Sequence, residues 1–167
     1  MGLFGGIDAS ASGLTAQRLR LDLISSNIAN ISTTRTGRTT AAGSQIPYRR
    51  QEAIFIPRPE ASGFAGVLNQ ALSRRSGIAA GMGVGTGVQV AAIVEDPIPF
   101  KLEYDPSSPD AAAEGDPEVP VGYVRYPNVD IVMEMVNMIS ASRSYEANVT
   151  ALNASKSMFL KALEIGR

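Results

Sequence analysis

Glu95, Asp96 and Asp105 come nearest, by type and spacing, to a carboxylate pair for general acid–base work. They lie in a stretch, residues 95–118, that carries eight acids against the single Lys101, and a solvated acidic loop accounts for them better. The segment Gly81 to Val88, GMGVGTGV, invites a phosphate-binding reading. Its glycines alternate, and it precedes an expected strand, whereas a dinucleotide fingerprint follows a strand and opens a helix. A flexible loop is expected there. The chain has no Cys and no His, which removes thiolate nucleophiles, Cys/His zinc sites and imidazole proton transfer together. No catalytic, cofactor-binding or metal-binding residue is assigned, and no cofactor is expected. Three Asn-x-Ser/Thr triplets, at Asn30, Asn148 and Asn153, are taken as chance, because two fall inside an expected helix.

The elements that would position any site are mostly helical. Hydrophobic residues make up 44% of the 167, but aromatics only 6%, so apolar surface is carried by Ala, Val, Ile, Leu and Met. Ile7, Leu14, Leu21 and Ile28 recur every seven residues, with Ile24 between them and Ala16, Leu19 and Leu23 on an adjoining line. That predicts a helix from about Leu3 to Asn30, roughly 40 Å long. Ile131, Met138, Tyr145, Leu152 and Phe159 repeat the same spacing, with Met135, Val149 and Leu163 at companion positions. A second helix of about 55 Å is expected from Asn128 to Ile165, with Asn128 as its N-cap. A further apolar face runs along it, from Val132, Val136 and Ile139 to Ala147, Ala151, Ala154, Met158 and Ala162. Two such faces are too wide for one partner. Asn27 and Asn30 stand at the end of the first helix, where they are expected to bond backbone groups as the chain turns.

The middle is different. Gly and Pro together number 26, and most of them lie here. Ile54 to Ile56 predicts a short strand stopped by Pro57. Val88 to Val94 and Phe100 to Tyr104 predict two more, separated by a Pro-containing turn. A short helix is expected at Phe64 to Arg75 within a Gly-rich stretch, and residues 105–120 are expected to be a loop. Residues 31–60 carry five Arg against Glu52 and Glu60; they and the acidic 95–118 stretch read first as two solvated loops and, more sharply, as segments that face each other within or between subunits. The basic segment is too short and too poor in aromatics for nucleic acid. The N-terminal residues show no positive n-region and no apolar h-region, so no cleavable signal peptide is expected. No apolar run approaches the ~18 residues of a membrane span.

These residues resemble a known family. LDLISSNIANISTTRT (Leu21 to Thr36) resembles the rod and hook signature, in which a helix ends in S-N-x-A-N before a Thr-containing turn. PYRRQEAIF (Pro47 to Phe55) supplies the Tyr-Arg-Arg segment that follows. GYVRYPNVDIVMEM and the remainder of the C-terminal helix resemble the same group almost position by position. The chain is thereby similar to the bacterial flagellar basal-body rod proteins, in particular those of the proximal rod. It departs from them in the longer loop from Ile31 to Pro47, which lacks Pro-Gly before Tyr48.

The resemblance implies a mainly α fold. Its N-terminal (1–30) and C-terminal (128–167) helices would pair as an antiparallel coiled coil, around an extended middle (31–127) with a small β-hairpin-like region and long Gly/Pro-rich loops. It implies a structural subunit, not an enzyme. That subunit would polymerise into a hollow shaft that transmits torque, conducts exported subunits and crosses the periplasm. The implied partners are copies of itself, other rod proteins, the rod–ring adaptor and the flagellar export apparatus, which would export it without a cleavable signal. From the residues alone, two other readings stay open. One is a cytoplasmic helical binding module or export adaptor; the other is a small enzyme using carboxylates only.

Overall fold

Proline is absent from residues 3 to 29 and from 131 to 165, and each stretch is one uninterrupted helix. The computed structural model describes residues 3–40, 44–58, 87–112 and 119–165. In chain order the elements are α1 (Leu3–Ala29), β1 (Gln51–Pro57), β2 (Val88–Glu95), β3 (Lys101–Tyr104), β4 (Tyr123–Tyr126) and α2 (Ile131–Ile165). The two helices pack together, and the strands form two separate two-stranded antiparallel ladders, β1 with β2 and β3 with β4. The result is a mixed helix and strand fold with no closed sheet.

Three expectations need correction. First, α2 starts at Ile131, and its cap is Asp130 rather than Asn128. The Asp130 carboxylate accepts the Val132 amide at 2.8 Å and the Met133 amide at 3.4 Å, free donors of the first turn. Second, the strands beginning at Val88 and near Phe100 do not pair with each other; each has a different partner. Third, β4 was not anticipated. Tyr123 and Tyr126 flank buried Val124 and Arg125, too short a run to show a period. The expected helix at Phe64 to Arg75 lies outside the described residues.

Two compact units are built from this chain, and each helix contributes to both. One comprises Met1–Arg18, Phe55–Ala91 and Arg143–Arg167. Here Gly13 of α1 lies against the side chain of Asn148 on α2. The Ser12 hydroxyl donates to the Ala9 carbonyl at 2.7 Å and accepts the Val88 amide at 3.0 Å, pinning the start of β2 to the helix. Gly87, at φ 90°, is what lets the chain pass so close to Ser12 and Ala9.

The other unit comprises Leu19–Ile54 and Ala92–Ser142. Its buried apolar residues are Leu23, Ile24, Ala112, Val119, Val124 and Ala141. β3 and β4 pair from Lys101 opposite Tyr126 to Tyr104 opposite Tyr123, whose rings lie 5.2 Å apart and tilted by 58°. Gly122 precedes β4 at φ 83°. Its amide donates to the Ala112 carbonyl and its own carbonyl accepts from Asp105, so the loop from Asp105 is folded back onto the ladder. A Cβ there would stand 3.0 Å from the Tyr104 ring. Gly122→Ala should therefore cost about 1–3 kcal/mol. The check is a lower urea midpoint with an unchanged slope; an unchanged midpoint would show that this turn relaxes freely.

Candidate functional site

The last turn of α1 places Asn27 three residues after Ile24 and four after Leu23, on the face those two bury. An amide side chain buried there must find four hydrogen-bond partners or lose stability. Asn27 finds all four. Its Nδ2 donates to the Gln51 carbonyl at 3.0 Å and to Glu134 Oε2 at 3.3 Å. Its Oδ1 accepts the Gln51 amide at 3.0 Å and the Tyr48 hydroxyl at 2.9 Å. The side chain thus pairs with the start of β1 as a neighbouring strand would. Asn30 closes the helix differently: its backbone amide and its Nδ2 both donate to the Ser26 carbonyl, and its Oδ1 accepts the Thr33 hydroxyl.

Glu134, one turn into α2, is fully buried at 0% exposure, and Asn27 is at 1%. A carboxylate so enclosed needs a charge partner. Arg50 supplies it: Nε donates to Glu134 Oε1 at 2.8 Å, while NH1 reaches Asp96 at 3.2 Å and Glu52 at 3.3 Å. The Arg50 amide donates to Asn128 Oδ1, and its carbonyl accepts the Asp96 amide at the end of β2. Burial disfavours the Arg50 cation. The hydrogen bond and charge of Glu134, the bond to Asp96 and the charge of Glu52 outweigh that, so its pKa lies above the ordinary guanidinium value. A raised arginine pKa stabilises at every pH below the arginine range, so the cation is present throughout ordinary conditions.

Around this junction the basic 31–60 and acidic 95–118 stretches do meet within the chain. Asp110 accepts from both Thr34 and Arg35. Arg49 donates to the Asp96 carbonyl and stacks over Phe100, 4.4 Å from the ring centroid. Arg38 and Arg49 also approach Glu95, at 3.6 and 4.0 Å, as exposed pairs that add little.

The heptad residues are distributed unevenly. Ile24 is buried; Ile7, Leu14, Leu21 and Ile28 are half-buried, as are Met138, Val149, Leu152 and Phe159. Ile131, Met135, Tyr145 and Leu163 are exposed. The more enclosed line on α2 is Glu134, Ala141, Asn148 and Ser155, also spaced by seven but small or polar. The sequence pointed to the apolar lines instead of this one, and it marked Asn128 only as a cap, and Tyr48 and Arg50 only as a family segment, not as partners of Asn27 and Glu134. A seven-residue repeat ending in a lone carboxylate was the available signal. Outside that line α2 presents Val132, Met133, Met135, Val136 and Ile139 to solvent, with Val132 at 65% and Val136 at 57% exposure.

This arrangement holds helix ends and strands together and leaves an apolar face open. Among the described residues there is no group of three or more His, Cys, Asp or Glu able to hold a metal, and no helix long and apolar enough to cross a membrane. Comparison with known proteins names the class. The family model described as "Flagella basal body rod protein" matches residues 7–35, and "Flagellar basal body rod FlgEFG protein C-terminal" matches 121–165. These are α1 with its turn, and β4 with α2. Relatives named flagellar basal-body rod protein FlgC match over the whole length. The Borreliella burgdorferi protein is 51% identical, covering 99% of this chain and 98% of its own. Those of Bacillus subtilis and Escherichia coli O6:H1 are 48% and 40% identical, each covering both chains completely. The chain belongs to the FlgC family, structural rod subunits of the flagellar basal body.

Removing Arg50 while Glu134 remains strands a buried charge. Arg50→Leu should cost about 3–5 kcal/mol, and adding Glu134→Leu should restore most of it. Urea unfolding of the two single variants and the double closes the cycle; additive losses would show that the pair does not interact.

Proposed function

We propose that this chain polymerises through its terminal helices, paired as an antiparallel coiled coil, into the wall of a hollow helical shaft. The shaft crosses the periplasm, transmits motor torque and conducts exported subunits. The subunit leaves the cytoplasm through the flagellar export apparatus without a cleavable signal. Its neighbours are copies of itself, other rod proteins and the rod–ring adaptor.

The observation that carries this reading is the apolar face of α2. Val132, Met133, Met135, Val136 and Ile139 are large, contiguous in helical spacing and exposed in the single chain. Fully burying one such side chain is worth about 1.5–3 kcal/mol, so neighbouring subunits gain strongly by covering them. The exposed positions described on α1 offer no apolar counterpart: they are Gly6, Asp8, Ala11, Thr15, Arg18, Asp22, Ser25 and Ala29, small or polar throughout. Antiparallel pairing is supported by two contacts, Gly13 with Asn148 and Asn27 with Glu134. The first members are fourteen residues apart, and so are the second, in opposite order.

Val136→Asp and Ile139→Asp place a carboxylate on this face without touching the junction or the buried line. Each should leave the helical circular dichroism of the soluble chain unchanged while abolishing rod assembly and swimming. Normal motility in both variants would remove α2's open face from the assembly.

A further inference from the structure

The apolar repeats of α1 and α2 share a period of seven, and this creates an ambiguity. The Gly13–Asn148 contact puts Ile7, Leu14 and Leu21 within about two residues of level with Leu152, Tyr145 and Met138, and a shift of seven residues, about 10 Å along the helix, would put each as near to the next member of the α2 repeat. Apolar packing alone scores these alignments nearly alike. Something other than hydrophobic burial must choose.

We propose that two polar contacts set the register of the helix pair: Asn27 and Arg50 on Glu134, and the side chain of Asn148 against Gly13. This rests on the antiparallel pairing proposed above. Each contact blocks a different slip. Sliding α2 one way brings Asn148 level with Arg20 instead of Gly13. Even a Cβ at position 13 would come within 3.1 Å of Asn148 Nδ2 and 3.2 Å of its Oδ1, so a long side chain at that level would have to displace the Asn148 amide. Sliding it the other way meets no such obstacle. Asn148 would then fall level with Gly6, again a glycine, and Glu134 level with Arg20, an available counter-ion.

The junction, together with the short connection from β4 to α2, opposes that second slip. Leaving Asn27 and Arg50 breaks the bonds at 3.3 and 2.8 Å to Glu134. It also leaves the Asn27 amide short of a partner in a buried place. Tyr48 and Gln51 tie Asn27 to the start of β1, and Asp96 and Asn128 tie Arg50, so the junction cannot travel with α2. The carboxylate on the seam therefore selects one alignment rather than adding strength. That is the best-attested use of a polar group in a paired helix.

The absence of cysteine makes the register directly readable by disulfides. Counting three residues from the Gly13–Asn148 contact puts Ala16 level with Tyr145. The two slips put it level with Leu152 or with Met138. Ala16→Cys is combined in the full-length chain with Tyr145→Cys, Leu152→Cys or Met138→Cys and oxidised. In the otherwise unchanged chain only the Tyr145 pair should close. With Asn27→Leu and Arg50→Leu added, the ratio of Met138 to Tyr145 product should rise at least about tenfold, while the Leu152 pair stays open. Adding Arg20→Ala should reverse the gain. Asn27→Leu alone keeps Arg50 as counter-ion to Glu134 and should give a smaller shift in the same direction. A helical Asn27→Leu chain that closes only the Tyr145 pair overturns the register assignment. Equal Tyr145 and Met138 products in the unchanged chain overturn it too. No disulfide at any of the three positions overturns the antiparallel pairing on which it rests.

Discussion

A buried carboxylate with a fixed set of partners organises one unit of this protein. Glu134 ties α2 to the end of α1 through Asn27 and to the start of β1 through Arg50. Arg50 carries the connection on to Asp96 at the end of β2, and Asn128 carries it to the segment between β2 and β3. Segments far apart in the chain are thus held by side chains whose hydrogen-bonding capacity is nearly filled. Such a network is costly to half-form and gains when all its members are present. That makes the unit cooperative despite few buried apolar residues.

The same constraint explains why the strands are small. β1 half-buries Gln51, Ala53 and Phe55 while Ile54 and Ile56 are exposed, so its inward face offers little apolar area. β3 is exposed along its whole length. Neither ladder would hold by itself. Each is fastened at its ends, by the Asp96 amide to Arg50 and by the Gly122 and Ala112 amides to carbonyls across the turn.

The helices were the most legible part of the sequence, because seven-residue apolar spacing over four or five repeats has no strand equivalent. Their ends were less so. Asn128 and Asp130 are both good caps, and the choice went to Asp130 because Asn128 was already engaged with Arg50 and Ile98. The opposition of Arg35 and Arg50 to Asp110 and Asp96 was one of two readings that charge left open, the other being solvated loops, and charge did not say which cation met which acid. Asn27 was visible as a helix-end residue. Its binding of Glu134 was not, since nothing local links positions separated by 107 residues. The apolar scoring that found Met138 and Leu152 also hid Glu134, Ala141, Asn148 and Ser155.

The distribution of polarity is the reverse of an ordinary globular protein's. Carboxylate and carboxamide groups lie against the partner helix within the chain, while valine, isoleucine and methionine face outward along α2. For an isolated protein this would be poor design, since polar contacts add little net stability and exposed apolar faces invite association. For a subunit of a rod it separates two tasks. Polar contacts inside the chain discriminate among alignments that apolar contacts score alike. Apolar surface outside it is reserved for neighbours, whose burial of it adds strength wherever the alignment is correct. A subunit with its helices slipped by one heptad would present that face about 10 Å out of place. The polar seam and the apolar exterior are therefore complementary: the first makes the second usable.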